Sequence, residues 1–466
     1  MDLAGKRVLV LGLGETGLSM ARWLSRERAD VRVADTRAAP PALEQLRRAL
    51  PEVAIGCGVF TDAIFEEIDL VAISPGVPLA DPAVRRAKAR GVPVIGDIEF
   101  LAQALPAERG PLILAVTGTN GKSTVTAIAG AMCAAAGLDC EVAGNIGPAA
   151  LDALRRRREA GGDPEAWVLE ISSFQLETTF SLDASAAAML NLSEDHLDRY
   201  ASLHEYAAAK ARVFSGDGVQ VLNRDDPWSL SMALPGRGTV TFGLGEPGSR
   251  GDFGLLVRGG MQWLAQGATP LLPVAGLKLA GLHNAANALA ALALCSAVGL
   301  PLAPLLAALA EFRGLPHRLE LVGAKGGLRF YDDSKGTNVG ATVAALAGLS
   351  GTALEQGARV VLIAGGEGKA QDFSPLKQAV KNAARAVVLI GRDAQLIEDA
   401  LQGASVPVLR AGSMEEAVVL ARSAARSGDA VLLSPACASF DMFRNYGHRG
   451  EVFREAVTRL TDAAAR

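Results

Sequence analysis

The sequence predicts an α/β protein of three domains, and three observations carry that prediction. The chain has 466 residues, more than one hydrophobic core of ordinary size organises. Apolar strand-like runs alternate with helical patterns along its length, the arithmetic of parallel sheets covered by helices. Two of those strands run straight into glycine-rich turns that open helices, Gly12-Leu13-Gly14-Glu15-Thr16-Gly17 and Gly118-Thr119-Asn120-Gly121-Lys122-Ser123-Thr124. The expected domains are 1–106, 107–313 and 314–466.

In the first domain, Arg7 to Leu11 is an apolar strand, followed by the glycine turn and a helix to about Arg28. Val31 to Ala34 is a second strand ending at Asp35, Leu70 to Ile73 a third closed by Ser74-Pro75-Gly76, and Val94-Ile95 a short fourth. Leu105 to Pro111 reads as a linker. The central domain repeats the pattern, with a strand at Leu112 to Val116 and a helix from Thr124 to Ala136. Strands around Trp167 to Leu169 and Ala186 to Leu190 each end at polar residues, and Thr239 to Leu264 reads as hairpin-like. In the last domain, strands at Leu328 to Tyr331, Arg359 to Ala364, Ala386 to Ile390 and Ala430 to Leu433 alternate with helices.

Composition narrows the function classes. Half of the residues are hydrophobic and 21% are charged, as in globular proteins that work in water. A net charge of −4 gives no reason to expect a nucleic-acid or membrane partner, and the basic run Arg155 to Arg158 reads as a solvated helix face. Met1 to Lys6 lead directly into a strand pattern, unlike a signal peptide. The apolar stretch from Ala285 to Phe312 is interrupted by Gly299-Leu300-Pro301 and Pro304, so two helices joined by a turn are expected there rather than a membrane span. The five cysteines (Cys57, Cys133, Cys140, Cys295, Cys437) form no CxxC pair and read as reduced core thiols of a cytoplasmic protein.

The motifs carry the chemistry. The first turn fits G-x-G-x-x-G after a strand, with Asp35 about twenty residues on, so the N-terminal domain is Rossmann-like. Its glycines let the backbone approach a diphosphate at a helix N-terminus, and Asp35 can hold a ribose hydroxyl. The second turn is a shortened P-loop, with Val116 where the strict pattern has glycine, which makes the central domain a P-loop-type ATPase fold. Its backbone can cradle phosphates, Lys122 can reach the β- and γ-phosphates, and Ser123 can ligate Mg²⁺. Glu170 ends a neighbouring strand, as a Walker-B acid does, and His196 lies in an acidic loop at the corresponding edge. A γ-phosphate site argues against a dinucleotide-dependent oxidoreductase, which the first turn alone would allow. The remaining clusters are His283 to Asn287, Pro316-His317-Arg318, Asp332 to Lys335 and Gly365 to Lys369. By position alone they are active-site loops between domains.

Together these residues resemble the Mur ligase family across essentially the whole chain. The resemblance rests on TGTNGKST (117–124), EISSFQL (170–176), NLSEDHLDRY (191–200), GLHNAANALAA (281–291), LPHRLE (315–320), DDSKGTN (332–338) and SPACASFDMFRNYGHRG (434–450). It implies ATP-dependent amide ligation, and the first glycine loop with the SPACASFD run points to the members that add glutamate. The first domain would then hold a UDP-sugar, not NAD, through Gly14, Thr16, Asp35, Thr36 and Arg37, with Ser74, Gly76 and Asn145 nearby. Gly118, Thr119, Asn120, Gly121, Lys122, Ser123, Thr124, Asn284, Asn287, Arg318, Asp333 and Lys335 would contact ATP. Ser123 and Glu170 would hold one Mg²⁺, and His196 a second together with Lys210, converted by CO₂ to a carbamate. Lys122, His196 and Lys210 would be the catalytic residues. Thr337, Lys369, Ser439, Phe440 and Tyr446 would hold the incoming glutamate, in a C-terminal domain that is Rossmann-like. The implied substrates are UDP-N-acetylmuramoyl-L-alanine and D-glutamate, and family precedent favours a monomer. Folylpolyglutamate synthases share part of the motif set but lack the first domain.

Overall fold

The computed structural model describes residues 1–106, 110–279, 281–349, 357–369 and 371–460. The expected linker at 105–111 includes residues 107–109, which lie outside the described residues. The first sheet has strands β1 (Arg7–Leu11), β2 (Asp30–Asp35), β3 (Ala54–Cys57), β4 (Leu70–Ile73) and β5 (Val94–Ile95), all parallel, in the order β3-β2-β1-β4-β5. Chain order reverses beside β1, and at such a switch point the turns leaving adjacent strands open a crevice. Gly17 in the helix Glu15–Arg26 lets that helix sit on the turn, since a Cβ there would lie 1.8 Å from the Gly12 carbonyl oxygen.

The central sheet comprises β6 (Leu112–Thr117), β7 (Cys140–Gly144), β8 (Ala166–Glu170), β9 (Ala186–Met189), β10 (Val219–Asn223) and β11 (Thr239–Phe242), ordered β11-β10-β9-β6-β8-β7 and parallel. An antiparallel meander of β12 (Phe253–Arg258), β13 (Met261–Gln266) and β14 (Thr269–Pro273) follows. The hairpin expected over Thr239 to Leu264 is therefore corrected. Its first strand extends the parallel sheet, pairing Thr239 with Gln220, and the antiparallel pairing starts only at Phe253. The Ala-rich stretch forms the two helices Leu282–Ala297 and Leu302–Glu311. No helix of the described residues is long and apolar enough to cross a membrane.

The third sheet contains β15 (Glu320–Lys325), β16 (Leu328–Asp332), β17 (Val360–Gly365), β18 (Ala384–Ile390), β19 (Val408–Arg410) and β20 (Ala430–Leu433), ordered β15-β16-β20-β17-β18-β19. Only the β15–β16 pairing in it is antiparallel. Two expectations about single residues change. Cys57 is exposed, because it ends the edge strand β3, whereas Cys133, Cys295 and Cys437 are buried. Arg155 to Arg158 are not merely solvated: they pair with Asp139, Glu141, Asp152, Glu159 and Asp163.

The sheets are joined unequally. Trp23, Leu101, Leu151 and Trp167 belong to one continuous apolar cluster that spans the first and central sheets. The two faces of the third sheet carry clusters of their own. The junction of the first two units is reinforced by buried Asp97, which accepts hydrogen bonds from Gln175 Nε2 at 3.0 and 3.3 Å, and by Glu99, which accepts from the Phe180 and Ser181 amides.

Burial raises the Asp97 pKa from 3.8 to about 6. The folded protein therefore binds a proton that the unfolded chain has released, so this contribution is full below pH ~4 and is lost as pH rises through about 6. At ~1.4 kcal/mol per unit, Asp97→Asn is expected to raise stability at pH 8 by up to about 3 kcal/mol, with little change at pH 4. Urea unfolding followed at the two pH values measures this, and equal effects at both would refute it.

Candidate active site

The central strand order puts three chemical loops side by side. β6 lies between β8 and β9, with Val116 beside Glu170 and Thr117 beside Met189 in register. The phosphate-type loop after β6 is thus flanked by Glu170 on one side and by the 190–200 loop on the other. That loop is laced to its neighbour: the Thr119 amide donates to the Asn191 carbonyl at 2.8 Å, and the Asn120 amide to Asn191 Oδ1 at 2.8 Å. Gly121 turns into the helix Lys122–Ala135 at φ +84°, and a Cβ there would lie 2.4 Å from Asn287 Oδ1. Glycine meets both demands.

Charge is concentrated beneath this loop. Lys122 Nζ donates to the carbonyls of Gly118 and Thr119, at 2.8 and 2.7 Å, and Lys210 Nζ donates to the same Gly118 carbonyl at 2.8 Å. Lys210 is 1% exposed, and its pKa is driven well below the ordinary lysine value, first by burial and then by the Lys122 charge. Burial lowers the Lys122 pKa too, with Glu170 opposing. Glu170 Oε1 accepts from Asn145 Nδ2 at 2.6 Å, whereas its Oε2 is buried and has no hydrogen-bond partner. An anionic oxygen left open in this way suits a hard divalent cation, and the Ser123 hydroxyl in the adjoining helix turn is a compatible second ligand. His196 takes φ +56°, and its ring packs edge-on against Phe174 at 4.7 Å. Burial holds its imidazole below the ordinary histidine pKa, in the neutral form that can ligate.

Two clefts converge on this cluster. One of about 360 Å³ is lined by Asn120, Gly121, Thr124, Asn284, Asn287, Arg318, Asp333 and Lys335. Arg318 Nη2 donates to Ser123 Oγ at 2.6 Å, so the third unit reaches directly into the loop. Asp333 accepts from Ser434 Oγ, and burial lifts its pKa to about 7. The other cleft, of about 640 Å³, is lined by Gly14, Thr16, Asp35, Thr36, Arg37, Ser74, Gly76 and Asn145, all eight residues expected there, together with Gln175 and Tyr446. Asp35 is 1% exposed and both its oxygens are engaged, one by the Leu13 amide and both by the Arg37 guanidinium, so it orients Arg37. Burial, with Arg318 adding, lowers the Lys335 pKa to about 8, and its ammonium sits 3.8 Å over the Tyr446 ring. Lys335 lines both clefts.

The five residues expected to hold glutamate are less gathered. Thr337, Lys369, Ser439 and Phe440 line neither of these clefts, and Phe440 is 72% exposed. Lys369 Nζ instead pairs with Asp195 Oδ1 at 2.9 Å across the domain gap, where Asn338 Nδ2 also bonds Asp195 and Asn120. Asp195 and Asn338 were not among the expected site residues, although both sit inside the quoted motifs. Nor was His283, which lines the smaller cleft with Nδ1 unpartnered and a pKa lowered by burial to about 4.

Comparison with known proteins bears on all three units. Residues 6–96 match the Mur ligase MurD-like N-terminal domain, 116–295 the Mur ligase middle domain, and 317–437 the Mur ligase glutamate ligase domain. The UDP-N-acetylmuramoylalanine–D-glutamate ligase of Nitrosospira multiformis is 59% identical, covering 100% of this chain and 98% of that protein. Its counterpart from Nitrosomonas europaea is 57% identical over 98% of this chain and 97% of that protein. Among solved structures, UDP-N-acetylmuramate-alanine ligase from Thermotoga maritima superposes with a TM-score of 0.61 at 21% identity, covering 97% of this chain and 99% of that one. Three domain matches in chain order and full-length relatives above half identity agree with the site's geometry: the chain belongs to the Mur ligase family.

Proposed function

We propose that this chain joins D-glutamate to UDP-N-acetylmuramoyl-L-alanine, with ATP converted to ADP and phosphate, in cytoplasmic synthesis of a peptidoglycan precursor. The observation that carries this reading is the meeting of the two clefts at Lys335, with buried Lys210 and Glu170 and half-buried Lys122 close by. A ligase needs a nucleotide phosphate and a carboxylate brought to one point, and an oxidoreductase does not. The names of the full-length relatives supply the substrates.

In this reading the smaller cleft takes ATP and the larger takes the UDP-sugar. The alanyl carboxylate attacks the γ-phosphorus, giving an acyl phosphate and ADP. The deprotonated glutamate amine then adds to the acyl carbon, and the tetrahedral intermediate expels phosphate. Lys122, Arg318 and Lys335 bring fixed positive charge to the oxygens on which charge develops. Two Mg²⁺ ions, when bound, supply further charge neutralisation. Ser123 and Glu170 hold one, and His196 with carbamylated Lys210 the other. Burial drives the Lys210 pKa well below the ordinary lysine value, favouring the neutral amine that reacts with CO₂; the product carbamate gains a negative charge and one proton is released. Thr337, Lys369, Ser439, Phe440 and Tyr446 hold glutamate, with Lys369 exchanging Asp195 for a substrate carboxylate. The chain acts as a monomer.

Phosphate release measured with ATP, Mg²⁺, UDP-N-acetylmuramoyl-L-alanine and a panel of D- and L-amino acids tests the reaction. Release is expected with D-glutamate; release that prefers L-glutamate or another amino acid would overturn the substrate assignment. For Lys210, protein equilibrated with ¹³C-bicarbonate is expected to show a carbamate carbon signal that Lys210→Ala lacks, with activity at least ~100-fold lower in the variant. Full activity in Lys210→Ala would remove the lysine from the mechanism.

A further inference from the structure

Arg199 occupies a position that the reaction as described does not use. Its side chain is 12% exposed and spans two units. Nη1 donates to the Pro75 carbonyl at 2.6 Å, in the 74–77 loop that walls the larger cleft. Nη2 donates to Glu177 Oε2 at 2.5 Å, at the end of the short helix Ser173–Leu176. Between these anchors the guanidinium lies 4.0 Å over the Phe174 ring, which also meets the His196 ring edge-on at 4.7 Å and the Tyr200 ring at 6.1 Å. The Arg199 amide also donates to the His196 carbonyl at 2.9 Å, closing the turn that holds His196 at φ +56°. One side chain thus ties the sugar-nucleotide loop, the helix following Glu170 and the His196 turn.

We infer that Arg199 is a positioning residue that couples occupancy of the larger cleft to divalent-cation binding in the central domain. The inference rests on the proposed sugar-nucleotide role of that cleft. A ligand pressed against residues 74–77 fixes the Pro75 carbonyl, and thereby the guanidinium and the Phe174 ring on which His196 rests. By linkage the effect is reciprocal, so bound cation must tighten sugar-nucleotide binding by the same factor. Other bonds between these units, among them Gln175 to Asp97, the Phe180 and Ser181 amides to Glu99, Arg26 to Glu159 and the Gly96 amide to the Thr178 carbonyl, do not involve the 74–77 loop.

The experiment is titration of Mn²⁺, followed by the electron-spin resonance of free Mn²⁺, with a nonhydrolysable ATP analogue present throughout. It is run with and without UDP-N-acetylmuramoyl-L-alanine. In the native protein the sugar nucleotide is expected to tighten Mn²⁺ binding at least about fivefold. In Arg199→Gln both ligands still bind, but the factor falls to about one. Glu177→Gln loosens the far anchor and is expected to give a reduced factor; it decides the case if Arg199→Gln does not fold. An undiminished factor in Arg199→Gln, or in Glu177→Gln where that variant decides, overturns the inference, as does native protein that binds both ligands independently. Native protein that binds no sugar nucleotide overturns the proposed function, and this inference with it.

Discussion

The site depends on one carbonyl oxygen. Gly118 C=O receives both Lys122 and Lys210, and two ammonium groups do not share a buried acceptor without strong mutual repulsion. Burial lowers both pKa values and drives that of Lys210, the more deeply enclosed of the two, well below the ordinary lysine value, so Lys210 is the amine disposed to give up its proton. Lys122 keeps the stronger claim to charge because the largest charges acting on it, those of Glu170 and Asp195, favour its protonated form. The open oxygen of Glu170 belongs to the same balance. A buried carboxylate oxygen with no partner costs free energy that folding alone does not require. It is intelligible as a ligand position.

The unequal joints extend that logic to the whole molecule. An apolar cluster fuses the first and central units, and apolar burial resists sliding because the covered area would have to be re-exposed. The third unit reaches the central one through polar bonds: Arg318 to Ser123, Asn338 to Asn120, Lys369 to Asp195. The first two can be exchanged for water or for a substrate oxygen at small net cost, whereas the enclosed Lys369–Asp195 pair needs a replacement charge on each side. The larger cleft is therefore largely walled by the fused pair, while the smaller is assembled between the central and third units.

The sequence made the site's loops more legible than its sheets. Strands such as Arg7–Leu11 and Val360–Gly365 are buried along nearly their whole length and read as apolar runs. Ala54–Cys57 is a mostly exposed edge strand and Glu320–Lys325 a half-buried one, neither with a long apolar run to read, and they went unrecognised. Thr239–Phe242 was misassigned because pairing direction is decided by the crossover before it, not by its own residues. Glycine turns carry their geometry in the backbone, so all eight residues assigned to the larger cleft do line it. The glutamate set resisted for the opposite reason. Its members come from three loops of the third unit, and where they point depends on how that unit sits against the central one.

That dependence gives the Lys369–Asp195 pair its significance. Asp195 is largely buried, which by itself raises its pKa, but the charges of Lys369, His196 and Lys122 and the Lys369 hydrogen bond together hold it below the ordinary carboxylate value. An ion pair this enclosed holds because each partner compensates the other, and removing one leaves an uncompensated charge. A dicarboxylate entering between the units offers Lys369 a replacement anion, while a cation arriving near His196 offers Asp195 a replacement positive charge. Neither exchange is favourable alone, since the abandoned partner stays buried. Both together conserve charge, so on the proposed site assignments glutamate capture and cation loading would draw on the same pair of side chains.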